Sequence, residues 1–328
     1  MKAKRHYIIT WSLLLLVCLT SLLFGAGTLE IKQAFAVLTG QGSAEARFVV
    51  MELRLPRLAI GTITGLALGV AGALLQTLTR NPLAEPGLLG VSAGSAFAVS
   101  LAILFGASTA TLTTLVSQAG ALAGCALVIA ATRIQGVGQD PVRLVLAGAT
   151  LTALLLSLTS LLMLIDQRAA DEIRFWITGS IAGKSWDQLT ATLPTMLLAG
   201  AIVIGAVKPL ASLALGERVA IGLGHRPGLI RLMVIIAVAL LVGGATALAG
   251  PLVFVGLVVP FVARALGGAD IRKTLWLCLP IGPAIIIAAD TLSRLLVVPS
   301  EMPLGVITAL IGAPVLMLII RARRIPTL

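Results

Sequence analysis

Residues 232–263 read LMVIIAVALLVGGATALAGPLVFVGLVVPFVA and contain no charged side chain. As one helix rising about 1.5 Å per residue, the stretch would measure about 48 Å, against a bilayer hydrocarbon core of about 30 Å. That is too long for one crossing. The chain must break, and Gly250-Pro251 is the natural place, because proline removes a helix hydrogen bond and glycine-proline pairs punctuate regular structure. Two apolar spans therefore stand back to back.

The same texture runs through the rest of the chain. Of 328 residues 58% are hydrophobic and 11% charged, where a soluble domain carries about 25% charged residues. Charge-free runs predict ten spans: 8–24, 58–78, 88–105, 112–131, 142–165, 189–207, 229–249, 251–265, 275–289 and 304–320. The runs are continuous, without the alternation of a membrane barrel strand. The expected class is an all-α polytopic membrane protein, one transmembrane domain over residues 1–328. The N-terminal apolar run, Ile8 to Phe24, exceeds the usual cleaved signal core and lacks a clear small-x-small site, so it reads as a retained first span.

Ten spans put both termini on one side. Placing them in the cytoplasm puts 16 of the 24 basic residues inside, among them Lys208, Arg226, Arg264 and Arg321. This satisfies the positive-inside rule. The net charge of +11 does not read as nucleic-acid binding, because the basic residues flank spans and no basic face carries interleaved aromatics. Cys18, Cys125 and Cys278 each sit in an apolar run and read as small buried hydrophobes without metal spacing.

Gly179 to Ser185, GSIAGKS, looks like a phosphate loop at first sight. It is one residue short, since only Ser180, Ile181 and Ala182 separate Gly179 from Gly183. No strand precedes it, and the topology places it outside. The chain is therefore expected to bind no ATP. No nucleophile–base pair, carboxylate pair or metal cluster can be assembled from His6, His225 and the scattered acids. No ionisable residue lies near the middle of a span, which argues against a proton-coupled carrier. A sodium-coupled carrier using backbone carbonyls stays open. Asp166 and Asp290 fall at span ends, where water is expected to reach them. Gly61, Gly65 and Gly69, like Gly120 and Gly124, form small-xxx-small faces suited to close helix packing.

Three loops stand out. The stretch from Lys208 to Arg231 holds a short helix-like piece, Leu213 to Ile221, followed by Gly222 and Gly224. It fits a helix–glycine–helix that another protein could grip, and equally an amphipathic connector lying in the interface. Between spans two and three, Pro82 and Pro86 forbid a regular helix, which puts Leu83 and Ala84 on irregular backbone at the cytoplasmic mouth. Arg54, Arg57 and Arg294 fall at the outer edge. Snorkelling anchors and a rim for an acidic partner both fit them.

At larger scale the residues resemble a known family. RLPRLAIGTITGLALGVAGALLQTLTRNPLAEPGLLGVSAGS (54–95), RFWITGS (174–180), LALGERVAIGLG (213–224), GPLVFVGLVVPF (250–261), ADTLSR (289–294) and PLGVITALIGAPVLMLIIR (303–321) are similar, in this order, to the FecCD-type permeases of ABC importers. The resemblance implies a type II importer permease paired with a second permease subunit, identical or sister. It further implies two cytoplasmic ATPase subunits that use ATP and Mg, and an external substrate-binding protein. The cargo it implies is a ferric siderophore, with haem or vitamin B12 as alternatives. Leu215, Gly216, Glu217, Ala220, Leu223 and Gly224 resemble the family's ATPase-coupling segment, within a loop of about 208–228. Asn81, Leu83, Asp140 and Pro141 resemble its cytoplasmic gate. Arg54, Arg57 and Arg294 fall where the family's external arginines meet the binding protein. The chain departs from the pattern at Pro260-Phe261, where many relatives have Pro-His. The resemblance implies no cofactor or metal held by this chain, and localisation in the cell (inner) membrane beside lipid.

Overall fold

The computed structural model describes residues 2–25, 29–107, 109–134, 141–297 and 300–321. Its helices are α1 (Lys2–Leu23), α2 (Ile31–Leu38), α3 (Ala44–Phe48), α4 (Leu55–Thr79), α5 (Val91–Leu104), α6 (Thr109–Ile134), α7 (Pro141–Ile165), α8 (Gln167–Ile177), α9 (Trp186–Ala214), α10 (Glu217–Gly222), α11 (Pro227–Ala249), α12 (Val255–Gly267), α13 (Ile271–Leu296) and α14 (Leu304–Arg321). Among the described residues there is no strand. Among the described residues seven helices are long and apolar enough to cross a membrane, and α5, α12 and α14 are shorter apolar helices. Together they fall on the ten expected spans.

The helices sort by burial rather than by hydropathy. In the most apolar window of α11, 83% of residues are buried, against 17% in α1 and α7. Equally apolar helices thus divide into an inner set, α4, α11 and α13, and an outer set whose leucines face outward. This is the expected arrangement where lipid, not water, is the solvent. Hydrophobicity no longer drives one helix onto another, and close packing must do so.

Glycines provide that closeness. A Cβ on Gly65 of α4 would lie 2.4 Å from the carbonyl oxygen of Gly282 in α13, and one on Gly72 would lie 1.7 Å from that of Gly256 in α12. Gly94 of α5 meets Gly120 of α6 in the same way. The small-xxx-small faces are therefore packing surfaces. Several buried hydroxyls find backbone acceptors: Thr77 donates to Ala73 O at 2.8 Å within α4, and Ser95 reaches across to Ser117 O at 2.7 Å. In hydrocarbon an unmade hydrogen bond is expensive.

Several boundaries differ from the sequence reading. The break between α11 and α12 is not a single hinge at Gly250-Pro251 but a short non-helical stretch, with α12 beginning at Val255. Phe254 sits in the left-handed region, φ 67°, which a bulky residue adopts only when its surroundings impose it. Those surroundings are close: Ser180 N–H donates to Ala249 O at 2.8 Å, and a Cβ on Gly312 would come 2.4 Å from the Phe254 Cβ. The second span is also longer than expected. A single run from Ala44 to Thr79 joins α3, a wide helical turn over Val49–Arg54, and α4, so charged residues such as Glu52 continue the helix past the apolar part. Finally, α9 runs through Pro209 to Ala214, so residues 208–214 of the expected coupling loop are helix.

The three cysteines carry no disulfide; Cys125 and Cys278 are buried. Asp290 corrects a reading. It is 2% exposed, enclosed by arginines rather than reached by water.

Candidate functional sites at the two ends of the bundle

One end of the bundle holds the start of α1, the ends of α4 and α9, α10, and the start of α11. The elbow there is built from two backbone reversals. Gly216 adopts φ 134°, ψ 149°, a conformation open essentially to glycine, and it separates α9 from α10. Gly224, at φ 80°, turns the chain toward α11, which opens on Pro227. The helical piece therefore begins at Glu217 rather than at Leu213. Ala220 is fully buried, whereas Leu215 is 75% and Leu223 63% exposed. Val219 and Ile221 are exposed beside them, so the tip of a membrane protein ends in a small apolar knob, a feature that marks interaction surfaces. Glu217 pairs with Arg231 at 3.0 Å on the solvent side, where such a pair contributes little.

Beside the elbow lies the turn after α4. Arg80 is left-handed, φ 51°, ψ 33°, and its N–H caps the helix on Gln76 O. Asn81 N–H donates to the same carbonyl at 3.1 Å. The Asn81 side chain accepts from Leu83 N–H at 3.0 Å, a local turn that asparagine favours. Leu83 is exposed and Ala84 buried, so the irregular loop expected from Pro82 and Pro86 is present. The Arg80 guanidinium reaches Leu213 O at 2.7 Å, joining turn and elbow. Behind the turn, buried Gln76 of α4 accepts from Arg264 of α12 and donates to Leu257 O at 3.4 Å. Glu85 follows on the loop, half-buried beside Gly256, and burial pushes its carboxyl up to about 8. Of the other gate residues, Pro141 opens α7, and Asp140 lies outside the described residues.

At the opposite end the three arginines converge, but inward. Arg54 donates to Leu22 O at 2.7 Å and Leu23 O at 2.9 Å, holding the last carbonyls of α1. Arg57 forks onto Asp290, at 2.9 Å from Nε and 2.7 Å from Nη2, and meets Glu301 at 2.8 Å. Arg294 pairs with Asp290 at 3.2 Å and donates to Ser21 O and Phe24 O. Side-chain exposures of 12% for Arg57 and 3% for both Arg294 and Asp290 mean that these charges serve internal partners. A cavity of about 740 Å³ opens beside them, lined also by Glu45, Glu52 and Lys184. Lys184, in the loop that mimicked a phosphate site, is half-buried, and burial pushes its ammonium below its ordinary value. Among the described residues, no group of three or more His, Cys, Asp or Glu could hold a metal ion.

The sequence reading missed the pairing of Asp290 with two arginines and that of Gln76 with Arg264. The available signal was a charged residue in an otherwise apolar helix, which requires an internal partner.

An all-helical, many-span bundle with an apolar elbow at one end and a charged cavity at the other has the build of a membrane transport permease. The chain belongs to the FecCD transport family, whose pattern matches residues 13–322. It is 44% identical over 315 residues to the ferric enterobactin transport system permease protein FepD of Escherichia coli K12, covering 95% of this chain and 94% of that one. It is 35% identical over 310 residues to the probable siderophore transport system permease protein YfiZ of Bacillus subtilis, covering 94% and 93%. In structure it is similar to an inward-facing ABC transporter of the metal-chelate type, with a TM-score of 0.84 at 28% identity, covering 97% of this chain and 99% of that one.

Proposed function

We propose that this chain is the permease of an ATP-driven importer of ferric siderophore complexes, with the elbow end and both termini in the cytoplasm. The elbow carries the reading. Leu215, Gly216, Glu217, Ala220, Leu223 and Gly224 present an exposed apolar tip on a buried base, suited to a groove on a separate ATPase. Two such ATPases, with their ATP and Mg, would work on a pair of permease chains, this one and an identical or sister chain. The turn at Asn81 and Leu83, with Asp140 and Pro141, would close the cytoplasmic mouth.

An external binding protein would dock at the opposite end and deliver its cargo into the charged cavity. In that docking Arg57, the least covered arginine of its ion cluster, exchanges Asp290 or Glu301 for a partner carboxylate. Arg54 and Arg294 hold α1 in place beneath it. The siderophore assignment is supported by the names of the relatives at 44% and 35% identity.

The test is uptake by vesicles containing the chain, its ATPase and its binding protein. Ferric enterobactin should accumulate with ATP and survive an uncoupler. Uptake that follows haem or vitamin B12 instead would replace the cargo assignment. Uptake that fails with the uncoupler and ignores ATP would replace the importer with an ion-coupled carrier.

A further inference from the structure

The cytoplasmic turn and the elbow are separate in sequence, and one side chain joins them. We propose that Arg80 is a positioning residue that carries motion of the elbow to the turn bearing Leu83; this rests on the importer reading above.

Three observations support it. The Arg80 backbone is left-handed, φ 51°, a conformation uncommon for residues other than glycine, and here it ends α4 and aims the side chain away from the helix. Its guanidinium ends on Leu213 O at 2.7 Å, and the same carbonyl accepts Gly216 N–H at 3.0 Å, the bond that closes the elbow. Its own N–H, with that of Asn81, ends on Gln76 O. The Gln76 side chain is fully buried and gripped by Arg264 of α12.

A continuous polar line therefore runs from elbow to Arg80, to the end of α4, and to α12. The pair Glu217–Arg231 cannot play this part, because it joins α10 to α11 and does not reach the turn. A shift of α10 that displaces Leu213 must either break the Arg80 bond or pull the turn with it. A hydrogen-bonded network between rigid elements is one physical carrier of such coupling.

The experiment compares wild type, Arg80→Gly and Arg80→Lys in vesicles with the ATPase and binding protein, using radioiron-labelled ferric enterobactin as probe. Glycine suits the left-handed backbone and removes only the tie. Uptake and ATP hydrolysis are measured together. Arg80→Gly is expected to hydrolyse ATP within about twofold of wild type while uptake per ATP falls about fivefold or more, the lower range of allosteric couplings. Arg80→Lys, with a point charge in place of the fork, should recover part of that ratio. An unchanged ratio in Arg80→Gly overturns the tie, and so does a proportional fall of both readouts, which marks a purely structural role. If wild type itself moves no ferric complex with ATP, the importer reading falls and the tie with it.

Discussion

Replacing Asp290 by alanine tests whether the outer arginines are structural. Asp290 accepts three short hydrogen bonds from Arg57, between 2.7 and 3.0 Å, and pairs with Arg294 at 3.2 Å. Its removal strands two guanidiniums in a nearly closed site. Breaking a buried ion pair by deleting one partner destabilises by about 3–5 kcal/mol. Arg57 keeps Glu301, and Arg294 keeps the carbonyls of Ser21 and Phe24, so the lower end, about 3 kcal/mol, is expected. Asp290→Asn keeps an acceptor but not the charge and should lose about 1–2 kcal/mol. The assay is equilibrium unfolding of the purified chain in mixed micelles, at low and high salt. Salt should change the difference little, because screening acts weakly on buried pairs. If Asp290→Ala unfolds within about 0.5 kcal/mol of wild type, as a surface substitution would, the inward-facing cluster is wrong.

Two further outcomes follow from the fold. The Glu85 carboxyl has its ordinary value of 4.5 raised to about 8 by burial. Below the lower value both folded and unfolded chains hold the proton; between the two only the folded chain does, so folded stability falls as pH rises and the loss is complete above the higher value. Glu85→Gln should remove that slope between pH 5 and 8, read as melting temperature against pH, and an equal slope in both proteins contradicts it. In Gly72→Val, the first added carbon would sit 1.7 Å from Gly256 O, so α4 and α12 must separate by more than about 1 Å. Such overpacking destabilises by about 1–3 kcal/mol or more, visible as a lowered yield of monodisperse protein, whereas Gly200→Val, with nothing near its Cβ, should behave as wild type.

The architecture was largely legible because a membrane leaves few choices. Absence of charge over 232–263 forces two spans, and the same count elsewhere places the rest. The elbow was legible in outline, since Gly222 and Gly224 mark an end. Its start was misread at Leu213 because Pro209 does not stop α9. A proline inside a helix can kink it without ending it. The internal partners of the arginines were hidden for a different reason. Arg57 and Asp290 lie far apart in sequence, and no local pattern says that α4 and α13 bring them together. Gly65 and Gly282, which set that approach, look in sequence like any other small residues. The Arg80 tie to Leu213 was hidden likewise, as it ends on a backbone carbonyl that carries no sequence signature.

The reading stands on force entering at the elbow from a separate ATPase. Co-purification of that ATPase with Leu215→Asp/Leu223→Asp, set beside uptake by the same preparation, measures it. Both apolar contacts are exposed and neither supports the fold, so the variant should reach the membrane in normal amount, lose the ATPase and take up no ferric complex. Full retention of the ATPase, or unimpaired uptake without it, would contradict the account.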